Sequence, residues 1–328
     1  MIKEPFDTSA SEKKPPHTIY AIGDVHGYDD ALLKLLTKIH RDIDRIQGFR
    51  PDATFEIVLL GDFESRGPNT KGVLDIVSNA KVKSRGMGVP HIALFGNHDY
   101  ATRSFLKEND PQKIIEKGCA LINYGALQTF ASYGVFAEEN HNTSRPVHTP
   151  KGANFSIAHE DILRMHKEMM DVMPFGHLAL LNSLKYSHHS KHDPAFFFCH
   201  AGVDPEKDWS EQDAGVLLGY GSDEDIQIGR NFVKGDGAKD IIVVHGHTIV
   251  KAGEVRSGRI SIDTGIYEDK QGDRRELTCA VLRGGAFKKF ITAKSDYPPY
   301  DPNFVPTEKN WPPVKNPQTG LDTLDCKL

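Results

Sequence analysis

The sequence predicts an α/β fold, with mixed β-sheets flanked by helices and a ligand-bearing rim at the carboxyl ends of the strands. Three observations predict it. Apolar runs closed by glycine alternate with amphipathic stretches in the first hundred residues, closely spaced apolar runs resume near residue 195, and five of these runs end on metal-competent side chains. The runs "TIYAIG" (18–23), "FEIVLLG" (55–61) and "HIALFG" (91–96) read as buried strands because they are short and bounded by glycine.

Between the first two runs, Leu32, Leu36, Ile39, Ile43 and Ile46 recur at helical spacing and give one apolar face. Val73, Leu74 and Val77 mark a second helix before the third run. A strand–helix–strand–helix–strand order is the pattern of parallel pairing under covering helices. Residues 100–190 change character and read as a helical cap or insert, in which the polar stretch 138–153 reads as a long, substrate-facing loop. Strands resume at "AFFFCH" (195–200), "IIVVHG" (241–246), "RISID" (259–263), "LTCAVL" (277–282) and "AFKKFI" (286–291), the last of them close enough for antiparallel pairing. The expected organisation is a flexible arm over 1–16, a catalytic domain over 17–293, and a tail over 294–328. That tail contains YPPYDP and WPPVKNP, too rich in proline for regular structure, so it wraps the domain or hangs free.

Composition narrows the function classes. The chain has 328 residues and a formal charge of −5, which is no footprint for nucleic acid. No apolar run approaches the ~20 residues that span a bilayer, and the polar N-terminus lacks the apolar core of a secretory signal. Cys119, Cys199, Cys279 and Cys326 are scattered without a paired motif, as expected of free thiols. These readings predict a cytoplasmic protein with neither nucleic-acid nor membrane partners.

The strand ends carry the chemistry. The first gives "GDVHG" with Asp24 and His26, the second Asp62, and the third "GNHD" with Asn97, His98 and Asp99. The fourth gives His200 and the fifth His245 and His247. A single His at a strand end is usually a hydrogen-bonded residue, and an Asp after a strand is usually a turn former. Five such ends exceed what turn chemistry alone supplies. Ligands in open α/β sheets collect beyond the strands' carboxyl ends, and mixed carboxylate, imidazole and amide ligation suits Mn, Fe or Zn.

GDVHG, GDFESRG, GNHD, HAG and GHT, in this order, resemble the metallophosphoesterase superfamily and, more closely, its phosphoprotein-phosphatase branch. The later "HGHTIV…RISIDTGIY…LTCAVL" is similar to the compact bacterial-type and Rhizobiales-like protein phosphatases. The resemblance implies a metallophosphoesterase-like β-sandwich and two divalent metal ions, manganese in vitro with iron or zinc as alternatives. The first metal would take Asp24, His26 and a bridging Asp62, and the second Asp62, Asn97, His200 and His247. A shared carboxylate would hold the cations ~3.5–4 Å apart for in-line attack by a bridging hydroxide. Arg66 would clamp the phosphate with its planar fork, His98 would protonate the leaving oxygen, and Asn97 would also face the substrate. His245 is expected to be a packed or supporting residue rather than a ligand. The implied activity is a phosphoprotein phosphatase acting on Ser/Thr or Tyr phosphate, with a phosphoprotein or phosphopeptide as partner.

Two departures pull elsewhere. The family motif places an Asp before the Arg, where it orients the catalytic His; here Ser65 stands there, leaving Asp99 or Glu64 as possible substitutes. Diadenosine-polyphosphate hydrolases of the same superfamily tend to carry a non-acidic residue at that place, with GNHD, so dinucleoside polyphosphate hydrolysis is the second enzyme reading. The second phosphate-binding Arg of the compact phosphatases is missing from its expected segment, and Arg230 is the candidate replacement. Adenosine-stacking aromatics would come from Tyr100, Phe105, Tyr124, Phe130, Tyr133 and Phe136, unless they form the core of the cap. An inactive metal- or phosphate-binding scaffold is the alternative of another class.

Overall fold

A computed structural model describes residues 15–79, 83–84, 87–138, 147–148, 154–155, 157–193, 195–235, 240–268 and 275–311. In chain order the elements are β1 (His17–Ile22), α1 (Asp29–Phe49), β2 (Thr54–Leu59), α2 (Thr70–Asn79), β3 (Lys83–Ser84), β4 (Met87–Gly88) and β5 (His91–Ala93). The helical stretch holds α3 (Asn97–Leu106), α4 (Pro111–Asn123), α5 (Leu127–Ser132), β6 (Val147–His148), β7 (Asn154–Phe155), α6 (His159–Val172) and α7 (Phe175–Ser183). Then follow β8 (Ser187–His189), β9 (Phe196–Cys199), α8 (Ala214–Leu218), α9 (Asp223–Lys234), β10 (Ile242–His245), β11 (Glu254–Arg256), β12 (Arg259–Ser261), β13 (Glu276–Arg283) and β14 (Ala286–Lys294).

Two five-stranded sheets result, in the orders β14-β13-β1-β2-β5 and β11-β12-β10-β9-β8. Each has three parallel strands: β1, β2 and β5 in one, β9, β10 and β12 in the other. Antiparallel strands flank them, including β13 beside β1 and the β13–β14 hairpin. Both sheets are therefore mixed. The alternation of side chains along a strand builds the sandwich. Ile19, Ala21, Val58 and Leu60 of the first sheet face Phe196, Phe198, Val244 and Ile260 of the second in one buried cluster. Tyr20, Ile22, Ile57 and Leu59 point the other way, against Leu32, Leu35, Leu36, Ile39 and Ile43 of α1. Ile46, expected on that apolar face, is only half-buried. Phe197, Cys199 and Val243 face Phe232 of α9 on the outer side of the second sheet.

Some segments differ from the sequence-based expectation. Part of the expected 138–153 loop is a short pairing, β6 with β7, and the rest of that stretch from 139 lies outside the described residues. Strands β8 and β11 are additional; they are short edge strands of polar composition, which carry no alternation to read. The tail from Ser295 to Trp311 lies against the domain, its backbone bonded to Tyr267 and Gln128; positions 312–328, with Cys326, and 1–14 lie outside the described residues.

Candidate metallophosphoesterase site

The parallel strands of both sheets deliver their following residues to one rim. Asp24 lies two residues past β1, Asp62 three past β2, Asn97 four past β5, His200 directly after β9 and His247 two past β10. The loops that follow are tightly laced. Asp62's carbonyl accepts from the N–H groups of Val25 (3.1 Å) and His26 (2.8 Å), which fixes the first two loops against each other. Glycine is required where backbone meets carboxylate: a Cβ on Gly96 would stand 2.0 Å from Asp62 Oδ1, and one on Gly246 would stand 1.9 Å from Asp24 Oδ1. His26, Asp62, Ser65, Arg66 and His247 all adopt left-handed φ values, from 46 to 71°. Such strained conformations persist where the surrounding structure over-determines them, and they gather at functional sites.

Asp62 is the centre of the arrangement. Its Oδ2 lies 3.4 Å from His26 Nε2 and 3.8 Å from His98 Nε2, while Oδ1 lies 3.5 Å from His200 Nε2. Two groups of ligand atoms converge on it: His26, Asp62 and His98 in one, Asp24, Asp62 and His200 in the other. The resemblance groups Asp24 with His26 and Asp62 and keeps His98 outside the ligand sets; both groupings share Asp62. Asp24's carboxylate accepts the N–H of His247 at 3.0 Å. His98 is turned inward at the start of α3, its own N–H donating to Asp62 Oδ1 at 3.0 Å. Asn97 Oδ1 lies 3.0 Å from both His200 Nε2 and His247 Nδ1.

The proton inventory fits cations. His200 Nδ1 donates to the Leu60 carbonyl (3.0 Å) and His26 Nδ1 to the Glu64 carbonyl (2.9 Å), so each ring offers an Nε2 lone pair to the site. His200 Nε2, Asn97 Oδ1 and Asp62 Oδ1 then face one another as acceptors, a donor set suited to a cation. Burial holds His200 and His247 down to about 4, and lowers His26 and His98 well below the usual histidine value, with the Arg66 charge adding to both. His26, His200 and His247, the three rings the resemblance implies as ligands, are therefore neutral, as metal ligation requires. Burial raises Asp62 to about 6, and raises Asp24 and Asp99 further as neighbouring carboxylates add to it.

His26, Asp62, Arg66, Asn97, His98, Arg230 and His247 line one cavity of about 750 Å³, and Lys234 of α9 lines it too. Asp24 and His200 stand behind it, buried. Arg66 Nη1 donates to His26 Nε2 at 2.8 Å, and its guanidinium lies 4.1 Å above the ring of Tyr267. Tyr267 also meets His26 edge-on at 4.8 Å, and Tyr124 lies 5.1 Å from His98. Tyr267 belongs to the "GIY" of the sequence, where nothing local marks it as a site residue. Of the six aromatics considered for stacking, Tyr124 alone lines this cavity, whereas Phe105 and Phe130 are core residues. His245 faces away: its Nε2 lies 2.9 Å from Ser261 Oγ and its Nδ1 donates to the Gly246 carbonyl.

A model of the calcineurin-like phosphoesterase family matches residues 17–251. The chain belongs to that family. Its members are phosphoric-ester hydrolases that use divalent metals, and the His, Asp and Asn donors above are the residues that could hold them. No curated protein sequence matches the chain. Among solved structures it is similar to a putative diadenosine tetraphosphatase (16% identity, TM-score 0.46, covering 84% of this chain and 93% of that one). It is similar also to the cold-active protein-tyrosine phosphatase of a psychrophilic Shewanella species (17%, 0.38, 84% and 80%). A third is a Saccharomyces cerevisiae serine/threonine phosphatase with similarity to human PP5 (13%, 0.41, 89% and 85%). No helix among the described residues is long and apolar enough to cross a membrane.

The feature of this phosphoesterase site that the sequence left open is the support of His98. Asp99 does not supply it: its Oδ1 accepts the Phe63 N–H (2.9 Å) and its Oδ2 the Gly96 N–H (2.8 Å). Glu64 does not either: its buried carboxyl is set against the Thr102 hydroxyl, and burial pushes it up to about 8. His98 Nδ1 and Ser65 Oγ are buried without a hydrogen-bond partner among the described residues.

Proposed function

We propose that the chain is a metal-dependent phosphoprotein phosphatase whose preferred monoester is phosphotyrosine. The observation that carries this reading is His98 Nδ1, buried with no hydrogen-bond partner among the described residues. An imidazole without a carboxylate behind it gains no support for its protonated form, so little of it carries the proton a general acid must give. A phenol, with a pKa of about 10, leaves phosphate with much less protonation than an alkoxide from Ser or Thr.

Two divalent cations bound at Asp62 would supply Lewis-acid charge and a nucleophile drawn from water at neutral pH. Asp24, His26, Asn97, His200 and His247 would hold them, with Asp62 shared. Arg66 would present its fork to two phosphate oxygens, and Tyr267 stacked on the guanidinium fixes its plane. Arg230 and Lys234 of α9 add positive charge to the same cavity. His98 would deliver its proton to the leaving oxygen late in the displacement.

The same partnerless His98 suits a nucleotide phosphate as leaving group, so dinucleoside polyphosphate hydrolysis is the second reading. The test is kcat/KM of manganese-reconstituted protein on a phosphotyrosine peptide, a phosphoserine peptide and diadenosine tetraphosphate. The proposal expects the phosphotyrosine peptide to lead. A lead for the dinucleotide would replace it with the second reading, and absence of all three activities in protein carrying both metals would leave the scaffold.

A further inference from the structure

A basic groove adjoins the metal-side cavity, on a chain whose formal charge is −5. Lys234, Lys251, Arg256 and Arg259 line about 760 Å³ of open space, and among the described residues Glu254 is the one acid that lines it with them. Arg259 of β12 forms the floor, with only 3% of its side chain exposed. Its Nη1 donates to Ser261 Oγ at 3.0 Å, and that hydroxyl meets His245 Nε2 at 2.9 Å, so the guanidinium is fixed from behind. Its Nε is buried with no hydrogen-bond partner among the described residues.

Glu254 compensates this charge only in part. Its Oε1 is taken by Arg256, 2.8 Å from Nε and 2.6 Å from Nη2, while its Oε2 stays 3.7 Å from Arg259 Nη2. A buried guanidinium facing a shared and distant carboxylate is short of negative charge. Its planar fork suits a further carboxylate or a phosphate.

Two chain segments run from the metal-side cavity into the groove. Val233 and Lys234 of α9 line both spaces, and Arg230, one turn earlier on the same helix face, lines the first. After β10, His247, Thr248 and Ile249 line the cavity, and Val250 and Lys251 line the groove. The Cα atoms of Thr248 and Lys251 are therefore no more than about 11 Å apart. An extended peptide covers that distance in about three residues.

We propose that this groove binds acidic side chains flanking the phosphorylated residue of a peptide substrate, about two to four positions away. The proposal rests on the phosphatase reading above and names the sequence context on which that activity works. An Asp or Glu carboxylate finds the Arg259 guanidinium at the floor and the exposed Lys234, Lys251 and Arg256 around it. Such complementarity selects acidic peptides and rejects basic ones.

The test uses manganese-loaded protein and phosphotyrosine peptides that differ only at these flanking positions, carrying Glu, Gln or Lys. From Glu to Gln, kcat/KM should fall about fivefold, through KM rather than kcat, and it should fall further with Lys. The difference should shrink at high salt. Lys251→Glu and Arg256→Gln change exposed side chains, so the fold is retained. Each should remove most of the Glu preference and leave the Gln peptide and p-nitrophenyl phosphate unaffected. The same peptides with a non-hydrolysable difluorophosphonate in place of phosphate, titrated by calorimetry, read the groove without turnover.

Equal kcat/KM for the Glu and Gln peptides would overturn the groove and leave the phosphatase reading standing. A Glu preference that survives both variants would overturn it too, because other residues would then read the acid. A fall in diadenosine tetraphosphate hydrolysis in Lys251→Glu, with the Glu peptide unchanged, would give the groove to a polyphosphate chain and overturn the peptide assignment. Binding of the Glu phosphonate peptide that is lost in Lys251→Glu, in protein that hydrolyses none of the peptides, would uphold the groove and remove the enzymatic reading instead.

Discussion

Ser65 and His98 are the pair on which substrate choice turns. Ser65 has a φ of 71°, a left-handed conformation that Asp tolerates better than most residues. The resemblance implies that Ser65 stands where an acid orients the leaving-group histidine, and His98 Nδ1 has no hydrogen-bond partner among the described residues, so Ser65→Asp would supply that acid. We expect kcat on a phosphoserine peptide to rise about tenfold, a small part of what a well-supported general acid contributes, with little change on aryl phosphates. A flat response on both would show that His98 is already oriented by another group. Asp62→Asn should be far more severe, since one carboxylate meets three imidazoles; we expect loss of activity beyond ~10³-fold together with loss of metal by elemental analysis. Full metal content in that variant would remove Asp62 from the centre. The positions of Asp62, His98 and Arg66 were legible because turn chemistry alone does not put glycine-flanked acids and imidazoles at the ends of so many buried strands. Tyr267 was not legible as a support for Arg66, since nothing in a lone aromatic separates stacking under a cation from ordinary core packing.

At the scale of elements, the sheets are joined at the end opposite the metal rim by a buried charge. Glu56 of β2 lies 3.6 Å from His17 of β1 and 2.9 Å from His188 of β8, which belongs to the other sheet. Burial alone would raise the Glu56 carboxyl, but hydrogen bonds and charge from His17 and His188 win and hold it down to about 2. A carboxylate depressed in the folded state stabilises the fold above its unfolded pKa of about 4.3, and that contribution disappears as the pH falls toward 2. Glu56→Gln should therefore cost about 3 kcal/mol near pH 6, measured by urea unfolding, and the gap to the parent should narrow below pH 4. A pH-independent gap would show that the loss is one of packing. The strands carrying this tie differ in how readable they are. β2 is a buried run closed by glycine, whereas "SHH" of β8 owes its strand state to pairing with β9 and shows no apolar alternation. The helices of the 100–190 stretch were legible as helices, but their packing was not, because it depends on residues far apart in sequence.

The molecule as a whole gathers acids at one rim. Asp24, Asp62, Glu64, Asp99 and Asp263 are all buried there, and burial followed by mutual repulsion raises Asp24 and Asp99 above the ordinary carboxylate range. A fold that concentrates buried carboxylates in this way is under electrostatic stress, which divalent cations relieve. The unfolded chain has no such preformed cluster, so cation binding favours the folded state by mass action. At free metal a hundredfold above its dissociation constant the gain is about 2.7 kcal/mol per independent site. Removing metal with a chelator should consequently lower the unfolding temperature by several degrees and abolish hydrolysis. Adding back manganese, zinc or iron should restore both, in an order set by each ion's affinity. An ion that restores activity must restore thermal stability at the same concentration, because the same ligands hold it in both measurements. Protein stripped of metal that melts at the same temperature as loaded protein would mean that the buried carboxylates are satisfied within the chain, and that the rim is not the metal centre.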